Sequence, residues 1–408
     1  MFLRMSGATL SSFLRKAKQS LADSLESKGQ HHASFVIGNQ SADLDSICSA
    51  LVYGYIQSHT PSALKAGKVT IPITNIPAEE TKLRPELTAL LKHADLTPSD
   101  LITLDDLGDF SASLPPGKTD WTLVDHNVLL GEVGEIYAES VVGVIDHHDS
   151  EGTIRSDAEP NIIESAGSCA SLVTEYCRSA WESLSHNQSS SSNTAAETTE
   201  LDAQLAYLAL GPILIDTVNL QAKDKITPSD TSALSYLEDR IFRVHKSYDR
   251  ETFFRELHTA KSDLDSLSLE EILRKDYKSW DESGLSLGIS SAVRSMDYLI
   301  SKSKTSHFVE ELLSFAKKRE VDLFAIMTAH NEGEDFAREI LLIAMASGKP
   351  QTAAERFSSS NSETLRLEEL TNQGVDGSKA VFFRLWRQKD TNSSRKQVAP
   401  MLREAMKG

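Results

Sequence analysis

Two aspartates, Asp43 and Asp45, stand two positions apart in the stretch GNQSADLDS, residues 38–46. The stretch overlaps the end of an apolar run, residues 34–39, that is typical of a buried strand, and it precedes residues 47–56, which are spaced like a helix packed on a sheet. The two carboxylates therefore lie on a strand-to-helix turn, at the edge where open α/β sheets bind their ligands. One such Asp is typical of a helix cap, but a cap does not need a second Asp nearby. The pair leaves a helix cap and a metal site as equally good interpretations.

Three further motifs place carboxylates and imidazoles after apolar segments. They contribute Asp125 in WTLVDHN, Asp146, His147 and His148 in VVGVIDHHD, and Asp216 at the end of GPILID. Because the carboxyl ends of parallel strands share one edge of a sheet, we expect five side chains to converge there, namely Asp43, Asp45, Asp125, His147 and Asp216. Each alone could cap a turn, lie on the surface or form a buried hydrogen bond. Together, carboxylate oxygens with one imidazole and no thiolate predict a site for Mg²⁺ or Mn²⁺.

The elements that must position these residues form a regular series. Apolar runs that end in polar residues recur as VIGN, VTIPITN, LITLDD, WTLVDHN and VVGVIDHHD, near residues 36, 69, 101, 121 and 141. Helical stretches or loops separate the runs, which predicts an α/β domain with a mostly parallel sheet flanked by helices. The stretch 201–220 then predicts a helix followed by a strand or turn that ends at Asp216.

A chain of 408 residues exceeds one hydrophobic core, so we expect two domains. We predict a metal-binding domain over residues 1–240 and a smaller mixed α/β domain over residues 255–408, joined by a charged helical stretch. The second domain has the strand candidates LSLGISSAV, DLFAIMTAH and KAVFFRLWR, with the helix HFVEELLSFAKKREV between the first two. The composition of residues 185–200, SHNQSSSSNTAAETTE, predicts a disordered polar insertion in the first domain.

Composition limits the classes of function. The net charge of −17 argues against broad nucleic-acid binding, and no apolar run approaches the roughly 20 residues that span a bilayer. Three cysteines without metal-finger spacing indicate a reducing compartment and no disulfide framework. We therefore expect a cytoplasmic protein, favour a monomer, and expect neither a nucleic-acid nor a membrane partner.

The N-terminal stretch allows two interpretations. Its arginines, lysines and serines, with no acidic residue before Asp23, resemble a mitochondrial transit peptide. Five apolar residues at helical spacing instead indicate a helix packed on the first domain, and we favour this interpretation. These residues are Leu10, Phe13, Leu14, Ala17 and Leu21.

The motifs resemble a known family. GNQSADLDS, VDHN, VIDHHD and LIDT are similar, in order, to the four signature motifs of the DHH phosphoesterases. RKDYK, residues 274–278, and SRKQ, residues 394–397, resemble the DHHA2-type C-terminal domain of one subfamily. That subfamily contains family II inorganic pyrophosphatases, fungal exopolyphosphatases and prune-type proteins. The resemblance extends from about residue 30 to about residue 400 and is greatest to the fungal exopolyphosphatases.

The resemblance implies a centre of two divalent cations, Mg²⁺ or Mn²⁺, and assigns a role to each matching residue. Asp125 would bridge both ions, Asp43 would hold one, and Asp45, His147 and Asp216 would hold the other. His148 would face the substrate phosphate as a hydrogen-bond donor or acid. Arg395 and Lys396 would bind phosphate from the second domain, and Lys225 is a weaker candidate for the same task. Two ions about 3.5–4 Å apart can clamp a phosphoryl group and activate a hydroxide for in-line attack.

Asn39 distinguishes members of the subfamily. Family II pyrophosphatases have a histidine at this position, whereas exopolyphosphatases and prune-type proteins resemble this chain in having asparagine. An amide oxygen is a weaker ligand for Mn²⁺ than an imidazole and is closer to the preference of Mg²⁺. We therefore include Asn39 among the catalytic candidates, with Asp125 and His148.

The resemblance implies an exopolyphosphatase that releases terminal orthophosphate from inorganic polyphosphate, by direct attack of the activated hydroxide. An inorganic pyrophosphatase or a nucleotide phosphodiesterase would use the same chemistry. A different class remains as an alternative, namely a prune-like scaffold protein with little catalysis. The intact set of metal ligands argues against a scaffold, because a scaffold does not need converging charged groups.

Overall fold

A five-stranded parallel sheet forms the centre of the first of two compact units, residues 1–261, and the second unit comprises residues 262–408. The computed structural model describes residues 9–28, 30–189, 195–265, 267–303, 307–333, 335–370 and 375–408. The division falls after the predicted boundary region because Phe253 and Leu257 are buried in the hydrophobic core of the first unit.

The first unit alternates strands and helices. Its strands are β1 (Ala33–Ile37), β2 (Thr70–Ile73), β3 (Thr119–Val124), β4 (Val141–Asp146) and β5 (Asn161–Ile163). Its helices are α1 (Leu10–Glu26), α2 (Leu44–Ser58), α3 (Pro61–Ala66), α4 (Pro85–Lys92), α5 (Leu104–Leu107), α6 (Phe110–Ser113), α7 (Gly131–Tyr137), α8 (Cys169–Ser189), α9 (Ala195–Asp216), α10 (Pro228–Val244) and α11 (Arg250–Ser262).

The order of strands in this sheet is β2-β1-β3-β4-β5, and every neighbouring pair is parallel. The carboxyl ends of β1, β3 and β4 therefore lie side by side at one edge. The residues that follow or end these strands include Asn39, Asp125 and Asp146, so the topology brings the predicted motifs together. Nearly all of α2 is buried, because this helix packs against both the sheet and helices α8 and α9.

The N-terminal segment forms helix α1, and all five apolar residues at its predicted contact face are buried. Phe13 packs edge-on against Tyr55 of α2, with ring centroids 5.3 Å apart. This confirms the prediction of a packed helix from Leu10 onward. Residues 1–8 lie outside the described part of the chain.

Two elements of the first unit differ from the sequence predictions. LITLDD does not form a strand of the sheet, since only a single bridge joins Thr74 to Thr103 and the chain then enters α5. The side chain of Asp106 accepts the backbone N–H of Thr103 at 2.8 Å, and this capping favours a helix start over strand extension. Strand β5 was not predicted, because three residues give too short a pattern.

The segment that ends at Asp216 is a helix throughout, with Pro212 inside it, so Asp216 lies at a helix end and not at a strand end. Its continuous apolar composition is typical of a buried helix as well as of a buried strand. The predicted disordered insertion at 185–200 is also corrected in part, because α8 continues to residue 189 and α9 begins at residue 195. Ala and Glu at positions 195–197 favour helix over loop. Residues 190–194 lie outside the described chain.

The second unit contains a mixed six-stranded sheet of order β10-β11-β9-β8-β7-β6. Its strands are β6 (Tyr277–Glu282), β7 (Leu285–Ala292), β8 (Leu323–Glu332), β9 (Asp335–Ala344), β10 (Leu367–Glu369) and β11 (Phe382–Gln388). Its helices are α12 (Leu269–Lys275), α13 (Met296–Lys302), α14 (Phe308–Lys318), α15 (Lys349–Leu365) and α16 (Arg395–Met406). Strands β7 and β8 pair in parallel, and α14 connects them as predicted. Both units therefore confirm the predicted α/β class with a mixed second sheet.

Among the residues that the structure describes, no helix is both long and apolar enough to cross a bilayer.

Gly38, which lies between β1 and the turn, tests how closely the turn packs on α2. A Cβ atom on Gly38 would lie 2.5 Å from the Cβ of Ser46 and 2.9 Å from its Cα. Ser46 is held in place because its hydroxyl accepts the backbone N–H of Asn39 at 3.1 Å. We expect Gly38→Ala to destabilise the protein by about 1–3 kcal/mol, as overpacking does. Thermal denaturation followed by circular dichroism measures the loss.

Gly117→Ala is the matched control, because open space surrounds a Cβ at Gly117. Equal melting temperatures for Gly38→Ala and Gly117→Ala would contradict the close packing of the turn on α2.

Candidate metal centre

The turn between β1 and α2 gives its two aspartates different environments. Asp43 is the N-cap of α2, and its carboxylate accepts the backbone N–H of Ser46 at 3.0 Å. Asp45 is in the first turn of the helix and is only 2% exposed. The helix-cap interpretation therefore holds for Asp43, although capping one N–H leaves carboxylate lone pairs for a cation. It does not account for Asp45.

The N-terminus of α8 binds Asp45. Its carboxylate accepts the backbone N–H groups of Cys169 at 2.6 Å and Ala170 at 2.8 Å, which are the first two residues of that helix. These donors and the positive end of the helix dipole stabilise the carboxylate. Nevertheless burial, followed by the charges of Asp125 and Asp43, raises the pKa of Asp45 well above its usual value. The repulsion between carboxylates exceeds what the backbone groups supply.

Asp125 lies at the centre of the group. Its φ of 62° is in the left-handed region, which is uncommon for a residue other than glycine and turns its side chain out of the strand direction. Its Oδ2 accepts hydrogen bonds from the Asn39 amide and from the Ser46 hydroxyl, both at 2.7 Å. Its Oδ1 lies 3.2 Å from Nε2 of His147 and 3.8 Å from Nδ1 of His148.

The ring of His147 is oriented by the backbone. Its Nδ1 is 3.0 Å from the carbonyl oxygen of Ala166, and a hydrogen bond to a carbonyl requires the proton on Nδ1. In the neutral ring Nε2 then carries a lone pair, which is the form that binds metals. Nε2 lies 3.2 Å from an oxygen of Asp125 and 4.0 Å from an oxygen of Asp45. Lone pairs this close repel each other unless a cation or proton lies between them, so the residues present fit a divalent cation.

Asp146 organises the rest of the DHH motif. Its fully buried carboxylate accepts the backbone N–H groups of His147 at 2.8 Å and His148 at 3.2 Å, and Nδ1 of His148 at 2.8 Å. Asn127 donates to its second oxygen at 2.6 Å. Although burial opposes ionisation, the hydrogen bond and charge of His148 lower the pKa of Asp146. Asp146 therefore fixes the orientation of the His148 ring.

Asp216 approaches from the C-terminal end of α9 and is partly buried. Burial, followed by the charge of Asp45 and then of Asp43, raises the pKa of Asp216 well above its usual value, whereas Lys261 and His147 oppose the rise. Asp216 thus shares the electrostatic environment of the other carboxylates, as the sequence analysis expects. The ligating atoms of Asp125, His147 and His148 lie within 4.8 Å of one another.

The amide of Asn39 is engaged within the protein. Its Oδ1 accepts the backbone N–H of Ser41 at 2.9 Å and the Ser41 hydroxyl at 2.6 Å, and its Nδ2 donates to the carboxylate and the carbonyl of Asp125. This arrangement positions Asp125 and closes the turn. The catalytic role of Asn39 stays a prediction, and its contacts favour positioning over direct contact with an ion.

Sequence reasoning missed several residues that hold the centre, namely Ser46, Asn127, Asp146 as an organising group, Cys169 and Arg84. The motif DHN contains Asn127, so this residue could have been found from its place beside Asp125. The thiol of Cys169 contacts the backbone N–H of Asp125 and donates to the carbonyl of Ile145, each at 3.2 Å. No local pattern points to Cys169 or to Arg84, because both act across long sequence separations.

The residues predicted to bind phosphate have contacts of their own. In the second unit the guanidinium of Arg395 binds Asp276 twice, at 2.7 Å to the carboxylate and at 3.0 Å to the carbonyl oxygen. This contact joins the two stretches RKDYK and SRKQ. Lys396 is in the first turn of α16, where its backbone N–H donates to Ser394 at 3.3 Å. In the first unit Lys225 follows a turn in which residues 218–220 all have left-handed φ values of 52–61°.

A second cluster, His330, Glu332 and Glu339, brings its ligating atoms within 4.8 Å in the second unit. Arg387 lies 2.8 Å from Glu332 and 3.9 Å from Glu339. A guanidinium is thus already paired with these carboxylates, and we assign the cluster to ion pairing.

The pKa of Asp216 is raised and that of Asp146 is lowered, so removing each charge should change the stability of the metal-free protein in opposite directions. Because the pKa of Asp216 is raised by folding, its contribution to stability is present below the usual carboxyl pKa and is lost as pH rises through the raised value. Near neutral pH its charge therefore opposes folding. We expect Asp216→Asn to raise the melting temperature in EDTA, and this gain should shrink in acid.

Asp146→Asn is the comparison variant. The lowered pKa of Asp146 means that its charge stabilises the fold above the usual carboxyl pKa, so the same amide substitution should lower the melting temperature near neutral pH. Shifts of the same sign in the two variants would contradict this assignment of the carboxylates.

Comparison with known proteins identifies relatives that match most of the chain. The family model for the N-terminal domain of the DHH family matches residues 34–210, and the model for the DHHA2 domain matches residues 255–405. A Schizosaccharomyces pombe protein, provisionally described as an exopolyphosphatase, is 33% identical over 92% of this chain and 91% of its own length. Human exopolyphosphatase PRUNE1 is 28% identical over 91% of this chain and 75% of its own length.

More distant relatives extend the comparison. A manganese-dependent inorganic pyrophosphatase of Methanocaldococcus jannaschii is 25% identical over 92% of this chain and 99% of its own length. A crystal structure from Methanococcus jannaschii, provisionally described as a family II inorganic pyrophosphatase, matches with a TM-score of 0.58 and 22% identity over 92% of this chain and 100% of that chain. The structural match shows the shared fold. With both domains matched and the motif residues converging at one sheet edge, the chain belongs to the DHH family of phosphoesterases and carries a DHHA2 domain.

Proposed function

We propose that the protein is an exopolyphosphatase, which hydrolyses inorganic polyphosphate from its end and releases orthophosphate. The observation that carries this proposal is the group of Asp45, Asp125 and His147, in which an imidazole nitrogen faces two buried carboxylates at 3.2 and 4.0 Å. Relatives described as exopolyphosphatases, including the S. pombe protein, support polyphosphate as the substrate.

Five residues would hold two divalent cations, Mg²⁺ or Mn²⁺. Asp125 would bridge the ions, Asp43 would complete one site, and Asp45, His147 and Asp216 would complete the other. When bound, two such ions polarise a phosphoryl group and lower the pKa of a water molecule between them. The manganese-dependent pyrophosphatases among the relatives support this use of metal.

The remaining groups bind and orient the substrate. Asp146 holds Nδ1 of His148, so a protonated His148 would present its Nε2–H to a phosphate oxygen. Asn39 and Ser46 hold one oxygen of Asp125, which leaves the other oxygen directed at the histidines. Arg395, Lys396 and Lys225 would supply positive charge to the polyanion, and the resemblance of SRKQ to the phosphate-binding stretch of the subfamily supports the first two.

Release of orthophosphate from polyphosphates of defined length tests the proposal. With Mg²⁺ or Mn²⁺ we expect release from triphosphate and from long chains, and none in EDTA. Hydrolysis of pyrophosphate alone would assign the protein as a pyrophosphatase, and hydrolysis of nucleotide esters alone would assign a phosphodiesterase. An absence of release from all of these substrates would favour the scaffold alternative.

Asp125→Asn tests the bridging carboxylate. We expect kcat to fall by at least about 10³-fold in a folded protein, because an amide cannot bridge two cations. The matched control is Asp120→Asn at the opposite end of the same strand, where Asp120 pairs with His32 at 2.7 Å. Activity of the Asp125 variant within about tenfold of the control would remove Asp125 from the centre.

Arg395→Ala and Lys396→Ala test the phosphate contacts. A charge-assisted contact is worth roughly 1.5–3 kcal/mol, so each variant should lose about 10- to 100-fold in kcat/KM on triphosphate and on long chains, with Mg²⁺ binding unchanged. Arg403→Ala on the same helix is the control, because Arg403 pairs with Glu282 at 3.3 Å and has no predicted role in the site. Kinetics equal to the control on both substrates would separate SRKQ from substrate binding.

A further inference from the structure

The turn that carries Asn39 and Asp43 is held from outside the sheet by a buried arginine. Arg84 lies just before α4, forty-one residues after Asp43, and is 2% exposed. Its Nε donates to the carbonyl oxygen of Ala42, and its Nη2 donates to the carbonyl oxygen of Ser41. Its Nη1 donates to the carbonyl oxygen of Glu80 at 3.0 Å. One guanidinium therefore joins the turn to the segment before α4.

The backbone of this turn has an unusual conformation at the bound position. Ala42 has a φ of 42°, and its N–H donates to the carbonyl oxygen of Asn39 at 3.0 Å. The left-handed region is unfavourable for a residue other than glycine. Arg84 binds the carbonyl oxygens of Ala42 itself and of Ser41 before it, so the guanidinium holds the backbone in this conformation. Asn39 and Asp43 take their positions from the same turn.

A guanidinium is suited to this task in a way that other side chains are not. Its planar fork can donate to adjacent carbonyl oxygens at the same time, whereas a lysine ammonium is a single point charge. Arginine also cannot lose its charge when buried, and a buried charge is costly unless it is well hydrogen-bonded. The protein thus keeps a costly cation at a turn whose residues face the metal centre.

Two ligands on the other side of the centre have additional supports outside this turn. Asp45 is bound by the N-terminus of α8, and His147 is bound by the carbonyl group of Ala166. Arg84 therefore acts most directly on the site that contains Asp43. Its effect on the other site passes only through Asn39 and the shared ligand Asp125.

We propose that Arg84 is a positioning residue for the metal site of Asp43, and that its loss weakens this ion site more than the other. The inference rests on the proposed two-metal function. The substitution of a residue that orients a metal ligand typically costs about 10- to 100-fold in metal affinity. The loss in activity should be recovered when Mn²⁺ is raised, because the variant still has every ligand.

Mn²⁺ titration of the full-length protein, followed by electron paramagnetic resonance and calorimetry, tests the inference. We expect two sites in the wild type, and in Arg84→Lys one site weakened by about 10- to 100-fold and one weakened clearly less. Equal weakening of both sites would contradict the inference. Arg84→Gln, which keeps an amide donor, should behave similarly. The control is Arg240→Lys, because Arg240 is also buried but lies 3.8 Å above the ring of Tyr236 and contacts no residue of the turn among its described partners. Activity should return towards wild-type kcat at high Mn²⁺.

The outcomes are distinct. Two unchanged sites in folded Arg84 variants would overturn the inference and leave the two-metal function standing. An equal loss in Arg240→Lys would assign the effect to general destabilisation and would also overturn it, as would failure of both Arg84 variants to fold. A wild-type protein that binds no Mn²⁺ would overturn the proposed function, and the inference with it.

Discussion

Repulsion between buried carboxylates is the constraint on which the rest of the first unit depends. Asp45 and Asp216 each have a raised pKa because burial and neighbouring negative charges disfavour their ionised forms. The protein counters this repulsion with groups that cannot move away: the N–H groups of α8, the amide of Asn39 and the hydroxyl of Ser46. These groups do not compensate all of the negative charge, and the remaining negative charge makes the site suitable for divalent cations.

The hydrogen bonds around the centre separate carboxylates with a structural role from those proposed to bind metal. Asp146 ends one strand and Asp125 follows the neighbouring one. Although burial opposes its ionisation, Asp146 has a lowered pKa because its carboxylate binds the ring of His148. It is an organising carboxylate and does not require a cation. The DHH motif thus combines a structural aspartate with two histidines: Asp146 binds the backbone N–H of both and orients the ring of His148.

Most of the fold class and the convergence of the motifs could be predicted from sequence. Strands β1, β3 and β4 have short apolar runs that end in polar residues, and parallel topology brings those ends to one edge. The helix that ends at Asp216 could not be distinguished from a strand, because a segment that is apolar on all sides lacks a diagnostic period. Arg84 and Cys169 could not be predicted, because their partners are distant in sequence and their own neighbours show no motif. The ion pair between Arg395 and Asp276 could not be predicted either, although the stretches SRKQ and RKDYK that contain these residues have recognisable motifs.

The arrangement of α8 and α9 has a consequence for sequence divergence. The first residue of α8 binds Asp45, and the last residue of α9 is Asp216, so both helices meet the centre with one end. Helices of 21 and 22 residues are each roughly 30 Å long at about 1.5 Å per residue, so the end of α8 at residue 189 and the start of α9 at residue 195 lie about that far from the ligands. Changes at these two far ends are therefore remote from the chemistry. Positions 189 and 195 offer places for a reporter group that would not disturb the ligands.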